Sequence, residues 1–411
     1  MNRTAACLAL LLAAALPAAQ ADVRLPHVFG SHMVLQRGMK IPVWGWAAPG
    51  EMVSVKIGTG PAVSALTTAG GEWRVMLPPM PAGGPQIRHL GIPKVTSAVP
   101  ERDVNAEWRV CAPAVAGSFT AVGYFFGREL HKTLKVPVGL INSSWGGTRI
   151  EPWTPPAGFA AADSLADIRA RVALADPRTD AHKARLRDYL GTNAAWTAQA
   201  KAALASGAVL DPLPPYPPEL VPLRGHQDPC SLYNAMIHPL VPFALRGAIW
   251  YQGESNHGEG KLYTDKTRAL VEGWRGVWHQ GALPFYYVQI APFQYGEEDP
   301  FVLPVFWEAQ AAAEAIPGTG MAVIHDVGNI RDIHPRNKQD VGRRLALLAL
   351  VKTYGAKDVV CSGPVFKSLA PDGAKLRLTF DHADGGLVTR DGKAPSHFEI
   401  VGEGTDFVPA E

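Results

Sequence analysis

Three short polar stretches carry the side chains that could do chemistry. Asn142-Ser143-Ser144-Trp145-Gly146-Gly147-Thr148 contains two consecutive glycines, whose backbone N–H groups can approach a ligand oxygen closely. Gln252-Gly253-Glu254-Ser255-Asn256 offers two carboxamides, Gln252 and Asn256, able to donate to a developing oxyanion, with the acid Glu254 between them. Asp332 and His334 are two residues apart, so a carboxylate could hold an imidazole in the tautomer that acts as a general base. Taken singly, these are a tight turn, a helix cap and a surface hydrogen-bonding pair. Together they favour a hydrolytic site. No Gly-x-Ser-x-Gly elbow, His-Glu-x-x-His pair, Walker loop or dinucleotide fingerprint occurs, so the sequence supports neither a metal site nor a cofactor.

The elements around these stretches alternate between helix and apolar strand. Residues 121–134 read as an amphipathic helix, followed by a strand at 136–141 that runs into the first polar stretch. Strands expected at 244–251, 284–292 and 321–324 lead to the second stretch, to a third strand end, and to His325-Asp326-Val327-Gly328. A helix over 337–354 follows, with Val341, Leu345, Leu348 and Leu350 on its apolar face. This order implies a parallel sheet, whose ligands bind beyond the carboxyl ends of the strands, where the three polar loops converge.

Residues 22–93 have a different texture. Short β-type runs at 33–35, 41–46, 52–57 and 73–77 are separated by Gly and Pro clusters, and Val53, Val55 and Ile57 alternate with polar residues. The expectation is a small N-terminal β-sandwich of structural or interaction-making character. Residues 94–358 form the expected α/β domain. An Ala-rich and then Pro-rich stretch at 155–223 reads as an insertion, and 359–411 returns to β texture.

With 411 residues, 47% hydrophobic and 18% charged, the chain is too apolar to be disordered. Its formal charge of +2 comes without a dense basic run, which argues against nucleic acid or an electrostatic membrane anchor as partner. Arg3, the apolar run 5–16 and Ala19-Gln20-Ala21 read as a cleaved export signal covering 1–21, too short to span a bilayer, so the expected location is periplasmic or secreted. Cys7 leaves with that signal. Cys111, Cys230 and Cys361 permit at most one internal disulfide, and the expectation is structural, largely buried thiols.

The chain resembles the bacterial sialate O-acetylesterases of the SGNH hydrolase superfamily. The resemblance runs through 26–29, 33–37, 118–134, 139–153, 231–242, 249–256 and 332–345. It is most specific in Trp250-Tyr251-Gln252-Gly253-Glu254-Ser255-Asn256 and Asp332-Ile333-His334-Pro335-Arg336-Asn337-Lys338. It implies an SGNH-type parallel sheet flanked by helices and a serine esterase that removes O-acetyl groups from sialic acid or related acetylated sugars. In that mechanism a serine attacks the acetyl carbonyl, His334 takes its proton and Asp332 orients the His. Donors from Gly146 or Gly147 and from Gln252 or Asn256 hold the oxyanion, Gly253 and Glu254 line the substrate side, and water resolves the acyl-enzyme.

One departure from the family is sharp. Members carry the nucleophile in a Gly-Gln-Ser-Asn-Met block on the first strand of the hydrolase domain, whereas here 77–85 run straight into Gln86-Ile87-Arg88 with no such block. The resemblance also leads to the expectation of a longer C-terminal β region than 359–411. Three readings compete: an esterase in which Ser144 or Ser255 substitutes or activity is weak, a catalytically inactive acetyl-sugar-binding protein, and a chain that folds poorly. The sequence leaves the oligomeric state open.

Overall fold

Strand β1 (Ile41–Trp46) pairs antiparallel with β4 (Glu72–Leu77), Ile41 opposite Leu77 and Trp46 opposite Glu72, while β2 (Met52–Val55) pairs with β3 (Val63–Leu66). In β4 the buried residues Trp73, Val75 and Leu77 alternate with exposed Glu72, Arg74 and Met76, the period-two signature of a strand with one face on the core. The structure is a computed structural model that describes residues 23–81, 83, 86–389, 391–396, 398–404 and 406–410. The expected export signal at 1–21 lies outside the described residues. So does Cys7.

The stretch 33–35, expected as a strand, is an irregular half-buried loop. It packs Val34 against Gly139, where a Cβ would come within 2.7 Å of the Val34 Cβ, so its apolar residues are buried by contact with the sheet face rather than by a ladder.

Two three-stranded sheets follow. The first is built from β5 (Ile87–Gly91), β6 (Trp108–Val110) and, after the short helix α1 (Pro113–Ala116) and the helix α2 (Ala121–Leu134), β7 (Val138–Asn142). Its order is β6-β5-β7, with β5 parallel to β7 from Ile87↔Val138 to Gly91↔Asn142. In the chain, the helices α3 (Ala166–Ala175) and α4 (Asp180–Ser206) come after the first sheet and before the second, the latter helix N-capped by the Thr179 hydroxyl and closed by Gly207 at φ 74°. The second sheet takes β8 (Ala248–Trp250), then α5 (Leu262–Trp278), β9 (Phe285–Val288), α6 (Val302–Ala312), β10 (Thr319–Ala322) and α7 (Lys338–Lys352). Its order is β10-β9-β8, all parallel. The chain is thus a mixed α/β protein with parallel strands and covering helices.

Strand β10 (Thr319–Ala322) ends two residues short of the expected end at 324, where Val323 is 45% exposed and the chain turns into a 3-10 helix at His325–Val327. Helix α7 starts where Asn337 accepts from the Asp340 N–H, and Val341, Leu345, Leu348 and Leu350 are all buried as its periodicity requires.

The two sheets share their packing layers. On one side α2 lies against α7 so closely that a Cβ on Gly342 would come within 2.7 Å of both the Phe125 Cβ and the Val122 carbonyl, which is why that position is glycine. Leu130, Val341, Leu345, Tyr286 and Val288 form one core there. On the opposite side Trp108, Trp153, Trp274, Phe285 and Tyr287 form another.

Among the described residues, β7 has no ladder partner on the side away from β5, and β8 has none on the side away from β9. Strand β8 is only half-buried along its whole length, whereas β9 is buried throughout and even β10, at the far edge, is buried except at Met321.

Beyond 359 the hairpin β11 (Val365–Asp372) and β12 (Lys375–Asp381) is almost wholly exposed, as are the short strands β13 (Glu399–Ile400) and β14 (Val408–Pro409). Cys230 is buried, but Cys111 and Cys361 are only half-buried and all three are free thiols, so the expectation of largely buried cysteines holds for one of them.

Candidate functional site

The loops that leave β7 and β8 are interlocked. Gln252 donates through Nε2 to the Thr148 carbonyl at 3.0 Å, the Ser255 hydroxyl donates to the Gly147 carbonyl at 2.9 Å, and the Ile150 N–H donates to Asn256 Oδ1 at 3.0 Å. Beneath them sits a buried ion cluster. The Lys266 ammonium, on α5, contacts Glu151 Oε1 and Glu259 Oε2 at 2.6 Å each, and Asn256 Nδ2 donates to Glu151 at 3.1 Å and Glu259 at 3.0 Å. Burial alone would raise the Glu151 carboxyl, but the charge and hydrogen bond of Lys266 outweigh it and hold that carboxyl below the ordinary range.

The carboxamides of Gln252 and Asn256 are therefore engaged within the protein. Gln252 Nε2 also donates to Asn256 Oδ1 at 2.8 Å, and Gln252 Oε1 accepts from the Tyr263 hydroxyl at 2.8 Å. The geometry makes both side chains ties between loops. Gly253 is buried where a Cβ would meet Ile290 at 2.7 Å and Phe306 at 3.0 Å, so the turn into the 3-10 helix Glu254–Glu259 can pass only as glycine. Gly146 and Gly147 are exposed, Gly147 at φ 78°. Their N–H groups donate to no described residue, and a Cβ on either would touch nothing within 4 Å.

The third loop approaches through charge. Burial pushes the Glu254 carboxyl up, opposed by backbone hydrogen bonds and by the nearby Lys338 ammonium and His334 ring. Lys338 is pulled down by burial and supported by Glu254 and Asp332, and its ammonium lies 5.0 Å from the Tyr251 ring centroid. The Tyr251 and Tyr295 hydroxyls are buried with no hydrogen-bond partner among the described residues, and both phenols are pushed up, first by burial and then by Glu254. His257 stacks on Tyr295 at 3.7 Å, with Nδ1 2.7 Å from the Glu254 carbonyl and Nε2 2.9 Å from Glu298.

Asp332 and His334 are together, but not in the expected way. Asp332 Oδ1 accepts from the His334 backbone N–H at 2.9 Å, so the carboxylate fastens the turn, and the exposed imidazole has no bond to it. The two serines near the loops are occupied elsewhere: Ser144 donates to Asn142 Oδ1 at 3.0 Å and Ser255 to Gly147. No cluster of three or more His, Cys, Asp or Glu arranged to hold a metal occurs among the described residues.

Sequence reasoning missed Glu151, Glu259 and Lys266. Glu151 and Lys266 lie 115 positions apart, and no local spacing signals such a pair.

Residues 223–347 match the family model for the carbohydrate esterase, sialic acid-specific acetylesterase. The sialate O-acetylesterase of Rattus norvegicus is 32% identical over 290 residues, 64% of this chain and 49% of the relative. That of Homo sapiens is 32% identical over 266 residues, 60% of this chain and 41% of the relative. The chain thus spans about half the length of the curated relatives it matches. The crystal structure of a carbohydrate acetylesterase from Xanthomonas citri superposes with a TM-score of 0.75 at 32% identity, covering 94% of this chain and 88% of that one. Its sequence and its fold being shared over nearly the whole of that relative, the chain belongs to the sialic acid-specific acetylesterase family of carbohydrate esterases.

Proposed function

We propose that the chain acts on O-acetyl groups of sialic acid or related acetylated sugars as a carboxylic ester hydrolase. The observation that carries this reading is the pair of unengaged N–H groups at Gly146 and Gly147, on a loop tied to the one bearing Glu254, in a member of an acetylesterase family. In this reading those N–H groups receive the oxyanion, where preorganised donors contribute most to catalysis. The attacking hydroxyl is assigned first to Ser144, which must leave Asn142 to attack the acetyl carbonyl; His334 accepts its proton and Asp332 sets the turn that presents the ring. Gln252, Gly253 and Asn256 shape the loop that faces the substrate, and Glu254 lies beside it.

We read the sheet as SGNH-type and the four N-terminal strands as a small β-sandwich over 22–93. The α/β domain takes 94–358 with an insertion at 155–223, and 359–411 is a partial β region. The unpaired edges of β7 and β8 support the view that the strand expected to carry the nucleophile belongs between them. Export to the periplasm or beyond, after cleavage at Ala21, is part of the same proposal.

Acetate release from an O-acetylated sialic acid, measured for the chain and for His334→Ala, tests the reading. Release that disappears in the variant is the expected outcome, and release that His334→Ala leaves unchanged would overturn the mechanism. A second reading, sugar binding without turnover, is favoured by the engagement of both Ser144 and Ser255 in other hydrogen bonds. Heat of binding to the acetylated sugar with no acetate released would select it.

A further inference from the structure

We infer that Lys94, held against Trp145 beside the exposed Gly146 and Gly147, selects substrates that carry a carboxylate, so that the site takes acidic acetylated sugars in preference to neutral ones. The inference rests on the esterase reading and names the part of the sugar that this side of the site recognises.

Lys94 and Trp145 both follow strand ends. Strands β5 and β7 are parallel and paired to their last residues, Gly91 opposite Asn142, and the Ile92 N–H still donates to the Asn142 carbonyl at 2.9 Å. Lys94 comes three residues after β5 and Trp145 three after β7, so both lie on the side of a parallel sheet where ligands bind. The Lys94 ammonium is 6.0 Å from the centroid of the Trp145 ring, within range of its negative face.

A third segment completes this wall. His226 stacks on Trp145 with ring centroids 5.4 Å apart and planes inclined by 14°. Next to it Gln227 grips the loop after β7 with both ends of its carboxamide: Nε2 donates to the Gly147 carbonyl at 2.6 Å and Oε1 accepts from the Arg149 N–H at 3.0 Å. The segment that carries Lys94 is fastened as well, since the Ser97 N–H donates to the Ser231 carbonyl at 3.1 Å and Asn234 Nδ2 donates to the Ser97 carbonyl at 3.1 Å. Lys94 is thus presented over a ring whose surroundings are tied together.

An exposed lysine is ordinarily only solvated. This one differs in its place and in the charges around it. Asp228 is taken by Arg171 at 2.7 Å and by the Gly225 N–H at 2.8 Å, and Glu259 is taken by Lys266 and Arg149. Lys94 is exposed and pairs with no carboxylate among the described residues. The loop bearing Glu254 meets the loop after β7 at Gly147, through Ser255, whereas Lys94 meets it at Trp145. Along the chain, the N–H groups of Gly146 and Gly147 therefore have a carboxyl-bearing loop on one side and a cation on the other. A sugar that sets its acetyl carbonyl on those N–H groups is drawn with its own carboxylate toward the cation. Sialic acid has such a carboxylate at C1, and neutral acetylated sugars do not.

The test compares acetate release from an O-acetylated sialic acid with release from its C1 carboxamide, which differs in losing the charge, for the chain, for Lys94→Met and for Lys94→Arg. The chain should favour the acid by about fivefold in kcat/KM, the upper range for an exposed ion pair, with the preference carried by KM. Lys94→Met should level the two substrates by slowing the acid alone, and Lys94→Arg should keep the preference. No preference in the unaltered chain, a preference that survives in Lys94→Met, or equal losses on both substrates in that variant would each overturn the proposal, the last because it marks a structural role. If the chain releases acetate from neither compound, it is the esterase reading that fails. Calorimetric affinities of the same three proteins for unacetylated sialic acid and its carboxamide then decide the inference, which equal affinities, or binding of neither, would overturn.

Discussion

Replacing Lys266 by Met removes the cation from a cluster that is nearly closed to water. The side chains of Lys266, Glu151 and Glu259 are 4%, 8% and 16% exposed, and both ammonium–carboxylate contacts are 2.6 Å. Glu259 keeps a second cation, Arg149 at 3.3 Å, on its outer side. Glu151 keeps the Asn256 amide and a backbone hydrogen bond, but no other cation among the described residues. Stranding one carboxylate in such a site costs about 3–5 kcal/mol, the range for breaking a buried pair by removing one partner.

The pH dependence separates this cause from simple loss of packing. In the native protein the Glu151 carboxyl is depressed, so its contribution is fully present above the unfolded value and is lost as pH falls through the folded value. Without Lys266 burial dominates, and the carboxyl moves above its unfolded value. Stability of Lys266→Met should then fall as pH rises through the carboxylate range, and the gap to the native protein should be widest near pH 8 and shrink toward pH 4. Urea unfolding at both pH values measures it. Lys266→Met combined with Glu151→Gln should recover most of the loss. A deficit below about 1 kcal/mol, or one equal at both pH values, would refute the assignment of charge as the cause.

Other substitutions probe the loop that the cluster supports. Gly253→Ala places a methyl 2.7 Å from Ile290 and 3.0 Å from Phe306, and should lower stability by about 1–3 kcal/mol in thermal unfolding while disturbing the loop geometry. Glu254→Gln should remove a pH slope of opposite sign to that of Glu151. The Glu254 carboxyl is raised by burial, so in the native protein its contribution is fully present below the unfolded value and is lost as pH rises through the folded one. The variant's melting temperature should exceed the native one at pH 8 and match it near pH 4. Part of that gain is offset because Lys338, pulled down by its own burial, loses a supporting anion.

The parts of the molecule read most accurately from sequence are those governed by local periodicity. Helix α2 has the expected bounds 121–134, and α7 buries the four residues its spacing picks out, because a helix that covers a sheet must turn one stripe inward. The loop 33–35 and strand β10 went differently for one reason. Short apolar runs of this kind carry no information about whether a ladder partner or a packing surface will bury them. The half-exposed Cys111 and Cys361 make the same point for single residues.

At the site, residue type pointed to loops that the structure interlocks, but not to the bonds that their side chains make. Gln252 and Asn256 have the donors an oxyanion needs, but a carboxamide near a buried charge is worth more to the fold as a bridge. Asn256 serves four partners at once: Ile150, Gln252, Glu151 and Glu259. That role is visible only when Glu151 and Lys266, remote in sequence, are brought under the loop. The consequence for chemistry is a division of labour. In the proposed reading the exposed N–H groups of Gly146 and Gly147 are the ones left for the substrate, while Gln227 and Ser255 hold the Gly147 carbonyl from the protein side. An Asn256→Ala variant should accordingly lose stability before it loses any specific transition-state contact, with the loss largest where Glu151 is ionised. If unfolding free energy were unchanged and only the rate of acetate release fell, Asn256 would be an oxyanion donor after all, and its engagement with the two carboxylates would have to break on substrate binding.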